Sequence, residues 1–217
     1  MTLFLSYFIN EQTPIYGGEK AVFVEKRSEI SKGASSNTKY LKLPNHSGTH
    51  IDFPNHFSDE GKIINDYPAS FWQFKKVYVI LYTAKSDEII DEKLIKNNDI
   101  PVDTEFLIIN TKFGRYREEK IYWNNNPGLS PSFATQLKIR CPNIKAIGFD
   151  FISLTSYQNR LLGRVAHKSF LLANDILLIE DMKLDQINGK VIKSVTALPL
   201  LIDKVDGCPI SIIAEYE

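Results

Sequence analysis

The chain has 217 residues, of which 43% are hydrophobic and 24% charged, a balance that sets aside a disordered chain and suits one soluble globular domain over residues 1–217. Its 26 basic and 26 acidic residues cancel to zero, which leaves no basic stripe for a nucleic-acid backbone. No apolar run approaches the roughly 20 residues that span a bilayer, and the two widely separated cysteines, Cys141 and Cys208, exclude a disulfide framework.

In chain order, the opening LFLSYFI (3–9) has no basic segment ahead of it, so no secretory signal and a cytoplasmic location are expected. Runs rich in β-branched and aromatic residues follow at AVFVEK (21–26), KYLKL (39–43), VYVILYTA (77–84), EFLIINT (105–111), AIGFDFISL (146–154), DILLIE (175–180), VTALPLLI (195–202) and PISIIAEY (209–216), each predicting a strand. Three stretches predict helices. DEIIDEKLIKNN (87–98) places acids in its first turn and lysines in its last. SPSFATQLKIRC (130–141) opens with Ser130 as N-cap and Pro131 at the first helical position. RVAHKSFLLAN (164–174) is apolar on one side. Strands outnumber helices in what reads as a mixed α/β domain.

Three of the four histidines fall in LPNHSGTHIDFPNHF (43–57), an H-x-x-x-H-x-D-x-x-x-H string holding His46, His50, Asp52 and His56. Gly48 and Pro54 argue against a helix here. In an extended chain the four polar positions, all even-numbered, share one face, with neighbours about 6.6 Å apart at a rise of about 3.3 Å per residue. Burying such a cluster unpaired is costly, so these side chains read as a metal-ligand set, with Gly48 leaving room for an ion. Neither cysteine is near in sequence, and fewer than four protein ligands leave a place for water, which suits a catalytic ion. No HExxH, G-x-S-x-G, Walker A or G-x-G-x-x-G string occurs.

HSGTHIDFPNHF (46–57) resembles the H-x-G-T-H-x-D-x-P-x-H signature of the cyclase-like metal hydrolases, the family of bacterial kynurenine formamidase and isatin hydrolase. TPIYGG (13–18), EFLIINTKFGR (105–115), NPGLSP (126–131), AIGFDFISL (146–154) and HKSFLLANDILLIEDM (167–182) resemble the rest of the family pattern in order and spacing. The resemblance implies a compact β/β/α swivelling-type α/β domain, a homodimer, and a metal site completed by His167 and Glu180. It implies that His46, His50 and Asp52 hold one ion, that Asp52 bridges to a second held by His167 and Glu180, and that the metal is Zn²⁺ or Mn²⁺, as one ion or two.

On the same basis His56 is the catalytic proton shuttle rather than a ligand. The implied reaction is hydrolysis of a C–N amide bond in a small molecule, as in the arylformamidase step of tryptophan catabolism. Tyr16, Phe53, Phe57 and Trp72 are candidates for the substrate wall, Asp150 for an acceptor that orients a ligating histidine, and Ser153 for a strand-end hydrogen bond. Tyr16 stands where kynurenine formamidases commonly carry tryptophan, a departure that leaves another small amide as substrate. Two further alternatives stay open. One is ring opening of isatin-like or cyclic imide substrates; the other is a non-catalytic, metal-stabilised binder.

Overall fold

The computed structural model describes residues 1–217. Its elements run β1 (Thr2–Phe4), β2 (Phe23–Ser28), β3 (Thr38–Lys42), β4 (His50–Asp52), β5 (Gln73–Phe74), β6 (Val77–Leu81), β7 (Ile89–Ile90), α1 (Lys93–Lys96), β8 (Phe106–Asn110), α2 (Lys120–Asn124), β9 (Gly128–Leu129), α3 (Pro131–Arg140), β10 (Ala146–Phe149), α4 (Arg160–Lys168), β11 (Leu177–Glu180), β12 (Ile192–Pro199) and β13 (Gly207–Tyr216).

One nine-stranded sheet organises the molecule, in the order β5-β12-β13-β4-β11-β10-β8-β6, with β1 also on β13. Its β11-β10-β8-β6 part is parallel and the remainder antiparallel. The parallel strands are continuous apolar runs because both faces are covered: every residue of FLIIN (106–110) and AIGF (146–149) is buried. Strand β13 instead alternates buried and exposed positions after Ile210, as a strand with one wet face does. The two ends of the strand order, β5 and β6, are separated in sequence by Lys75 and Lys76 alone, so the sheet curls almost into a barrel. A contiguous core of 46 buried hydrophobic residues fills it. The β2–β3 pair forms a separate two-stranded sheet, and every residue of β3 is exposed. No helix is long and apolar enough to cross a membrane.

Strands outnumber helices, as the sequence predicts, and each of the nine apolar stretches contains a strand. Helix α3 starts as expected: Ser130 Oγ accepts from the Phe133 amide at 3.3 Å, with Pro131 following. Two helices differ. Residues 87–98 form strand β7 and the single turn α1, because Ile89 and Ile90 pair in parallel with Gly128 and Leu129 and the tertiary ladder overrides local propensity. The third helix begins earlier, at Arg160, and passes into a π-helical turn over Ser169–Ala173.

Candidate metal centre

Strand β4 lies between β11 and β13, and its register builds the site. His50 sits opposite Glu180, and Asp52 opposite Leu178 on one side and Gly207 on the other. Residues i and i+2 of a strand share a face, and directly paired residues across an antiparallel ladder share it too. His50, Asp52 and Glu180 therefore point the same way, all buried. The extended backbone expected for the string holds only over His50–Asp52. Residues 46–49 bend, with Gly48 at φ +64°, a left-handed conformation that glycine adopts without strain. The backbone of residues 54–56 then tightens into a 3₁₀ turn that carries His56. Gly48 serves this bend rather than making room for an ion: a Cβ there would meet Ile9 and Thr13.

His167 arrives from α4. Its Nδ1 donates to the Gly163 carbonyl one helical turn back at 2.9 Å and also faces Thr155 Oγ1 at 3.1 Å. His50 Nδ1 donates to the Gly48 carbonyl at 2.8 Å. With Nδ1 spent on backbone oxygens, both rings turn Nε2 inward, the arrangement that fixes ring tautomers at metal sites. His50 Nε2 lies 3.6 Å from Asp52 Oδ1 and 3.4 Å from Glu180 Oε2. His167 Nε2 lies 3.6 Å from Asp52 Oδ2 and from Glu180 Oε1. These separations exceed the roughly 2.7–3.2 Å of a hydrogen bond. They are the spacing, about 3.3–3.6 Å, of ligand atoms standing about 2.0–2.2 Å from a shared ion, and one ligand atom from each of His50, Asp52 and Glu180 lies within 4.8 Å of the other two. The donor chemistry and its spacing thus fit a divalent cation, and each carboxylate turns one oxygen to each imidazole. Glu180 is held by the Leu154 amide, 2.7 Å from Oε1, with Ser153 Oγ at 3.4 Å. The next residue, Asp181, accepts from Nε and Nη2 of Arg117 and anchors the end of β11.

His46 and His56 flank this set, their rings 4.1 Å apart. His46 Nδ1 meets Asp52 Oδ1 and its Nε2 meets Asp206 Oδ2, both at 2.9 Å. His56 Nδ1 donates to the same Asp206 oxygen at 2.7 Å. Burial works against the protonated form of His46, but Asp52 and Asp206 outweigh it and hold its pKa up to about 9. Burial likewise opposes protonated His167, and Asp52 and Glu180 raise it to about 10; His50 shifts upward for the same reasons. Against a strong burial cost, the imidazoles keep Asp52 well below the usual carboxylate range and lower Glu180 as well.

The cluster floors a cavity of about 460 Å³, a size typical of small-molecule sites. Tyr16 and Phe57 line it, and Phe57 stacks on the His167 ring with centroids 4.6 Å apart. Phe53 and Trp72 do not line it. They are buried in an aromatic core with Tyr67 and Phe71, because Phe53, one residue past Asp52, points to the opposite side of the chain. Asp150 orients no histidine either: it accepts from the Thr111 amide at 2.8 Å and the Gly114 amide at 3.2 Å. Sequence reasoning does not single out Asp206, which lies 160 residues from His46 and 150 from His56. It also passes over Arg160 and Arg164, which line the cavity; their spacing to His167, one stripe of a helix, is the signal for them.

A family model described as "Putative cyclase" matches residues 4–155. The chain belongs to that family. The expectation raised by HSGTHIDFPNHF is met at that level. Cyclase-like protein 2 of Arabidopsis thaliana is 26% identical over 220 residues, covering 96% of this chain and 77% of the relative. Kynurenine formamidase of Geobacillus thermodenitrificans is 26% identical over 206 residues, covering 95% and 93%. Among solved structures, an isatin hydrolase bound to the product analogue thioisatinate superposes with a TM-score of 0.79 at 18% identity, over 100% of this chain and 92% of that one. Isatin hydrolase A from Labrenzia aggregata gives 0.81 at 20% identity, over 99% and 93%. At these identities the structural matches establish the shared fold.

Proposed function

We propose that this cyclase-family chain is a metal-dependent hydrolase that opens a C–N amide bond of a small molecule, an N-formyl arylamine or a ring amide. The observation that carries this reading is the grouping of His50, Asp52 and Glu180 at coordination spacing, with His167 3.6 Å from both carboxylates, in the lining of the cavity. Imidazole and carboxylate donors without thiolate suit Zn²⁺ or Mn²⁺, as one ion or two. When bound, a divalent ion lowers the pKa of water and polarises a carbonyl oxygen.

The protein's own groups supply the rest. The Gly48 and Gly163 carbonyls hold the His50 and His167 rings with Nε2 inward. Asp52 and Glu180 bring the negative charge that offsets a divalent cation. His46, hydrogen-bonded to Asp52 through Nδ1, would serve as a further ligand by giving up the proton it shares there. His56 overlooks the cavity with Nδ1–H committed to Asp206. Its Nε2 is then the atom that takes a proton from attacking water and returns it to the departing nitrogen. An amine leaves poorly unless it is protonated, so this transfer decides the rate of bond cleavage. Phe57, packed on His167, limits the access of bulk water.

The kynurenine formamidase relative and the isatin hydrolase neighbours support the reaction class. The deciding experiment pairs elemental analysis of the purified protein with hydrolysis assays on N-formylkynurenine and isatin, before and after chelation. The expected result is a zinc- or manganese-loaded protein that hydrolyses one of the two, loses the activity on chelation, and loses both metal and activity in His167→Ala. A protein that stays metal-loaded and hydrolyses neither class would overturn the reading in favour of a metal-stabilised binder.

A further inference from the structure

The lining of the same cavity includes Tyr16, Tyr157 and the exposed Arg160 and Arg164. Arg160 and Arg164 stand one helical turn apart on α4, and His167 follows on the same stripe. At about 1.5 Å of rise per residue, the row leads about 10 Å along the helix from the cavity mouth to the metal centre. Neither guanidinium makes an ion pair, in contrast to Arg117, which Asp181 clamps at 2.7 Å. Arg160 is oriented instead by stacking 4.0 Å above the Tyr157 ring, which in turn packs 5.3 Å from Tyr16. Such stacking pre-organises a guanidinium and leaves its N–H groups free.

Tyr16 adds a second sign of a missing partner: its hydroxyl is buried with no hydrogen bond. Burial drives the Tyr16 pKa up to about 12, with the Arg160 charge and the approach of its guanidinium to the hydroxyl pulling the other way, so the group stays a neutral phenol beside Arg160. The cavity's own carboxylates cannot answer the two arginines, because Asp52 and Glu180 are buried and engaged by histidines. Arg164 also borders an adjoining depression with Asp59 and Lys168, whose charges offset each other.

We propose that Arg160 and Arg164 form an anion subsite at the mouth of the cavity, with the Tyr16 hydroxyl beside it, and that the substrate is a flat amide carrying a carboxylate separate from the carbonyl that reacts. Two cations with no free acid on the cavity wall select a net anion over a neutral or aminated analogue. A guanidinium offers a planar fork of donors that matches a carboxylate, and its stacking on Tyr157 lowers the entropy lost on binding. The inference rests on the hydrolase reading for the identity of the bond broken, but not for the anion preference itself.

The test therefore separates binding from turnover. Calorimetry on the protein as purified compares 2-aminobenzoate with aniline, neither of which has an amide bond to break. Wild type is expected to bind the acid at least about tenfold more tightly, and Arg160→Ala/Arg164→Ala to lose most of that preference. The double lysine variant is expected to keep part of it, and Arg160→Glu/Arg164→Glu to turn it toward 3-aminobenzylamine. On substrates, the ratio of kcat/KM for N-formyl-2-aminobenzoate over formanilide should fall by a similar factor in the alanine variant. Wild type with no preference for the acid, or a preference unchanged in the alanine and glutamate variants, would overturn the subsite. Binding that follows the expected pattern without hydrolysis of either amide would uphold the subsite and overturn the hydrolase reading.

Discussion

Gly163 lies inside α4, where alanine is ordinarily the better residue by about 1 kcal/mol. The structure reverses that expectation. A Cβ at this position would stand 2.3 Å from Thr155 Oγ1, 2.5 Å from its Cγ2 and 2.6 Å from its Cβ, contacts that require a shift of about 1 Å to relieve. Thr155 has little freedom to retreat. Its carbonyl accepts from Asn126 at 2.9 Å, its amide donates to Ser153 Oγ at 3.2 Å, and its hydroxyl faces His167 Nδ1. Overpacking of this kind costs about 1–3 kcal/mol, and three overlapping atoms with a tethered neighbour put the value at the upper end. After subtracting the helix-propensity gain, Gly163→Ala is expected to destabilise by about 1–2 kcal/mol, a fall in melting temperature of about 2–8 °C for a chain of this size. Because the Gly163 carbonyl and Thr155 both hold the His167 ring, metal content should fall along with stability. Thermal melts followed by circular dichroism, with elemental analysis, read both effects. Adding Thr155→Ser removes the Cγ2 overlap and should recover part of the loss, with a coupling above about 0.5 kcal/mol. A Gly163→Ala protein that melts at or above wild type would refute the assignment of this contact.

Asp206→Asn keeps the shape of the side chain but cannot accept from His56, His46 and Asn45 together, as Asp206 does. Turnover is expected to drop about 10–100-fold with KM and metal content little changed. Loss of metal at unchanged kcat would place the effect on His46 instead. Metal reloading of the stripped protein should weaken as pH falls. The ion must displace protons from histidines whose pKa values are raised, His46 to about 9 and His167 to about 10, so binding releases protons between about pH 6 and about pH 8. Calorimetry in buffers of different ionisation enthalpy measures that release, and pH-independent loading with none would count against it. Trp72→Ala removes a core side chain and should cost about 3–5 kcal/mol while leaving KM for the amide near wild type at a permissive temperature. A selective rise in KM without destabilisation would return Trp72 to the cavity wall.

The chemistry of the site is written locally over 46–56, where three imidazoles and a carboxylate fall within one short segment, and the alternation of His50 and Asp52 on one face is a property of extended backbone alone. The strands were equally legible, because runs such as FLIINT (106–111) and ILLI (176–179) bear the stiffness and burial preference of β-branched side chains. The limits appear where partners are distant. Nothing near Asp206 in sequence points to His46 or His56; the pairing of β13 with β4 carries it there. Phe53 and Phe57 are both aromatic neighbours of the ligands in sequence, yet one is core and the other lines the cavity, since the 3₁₀ turn at Pro54–His56 re-aims the chain between them. Residue type and spacing thus determined which groups are present to bind and move protons, because donor chemistry is a property of the side chain. Which of them meet, at 3.4–3.6 Å between imidazole and carboxylate, was decided by strand register and by the docking of α4 on Thr155, since convergence of segments more than 100 residues apart is a property of packing that no local pattern encodes.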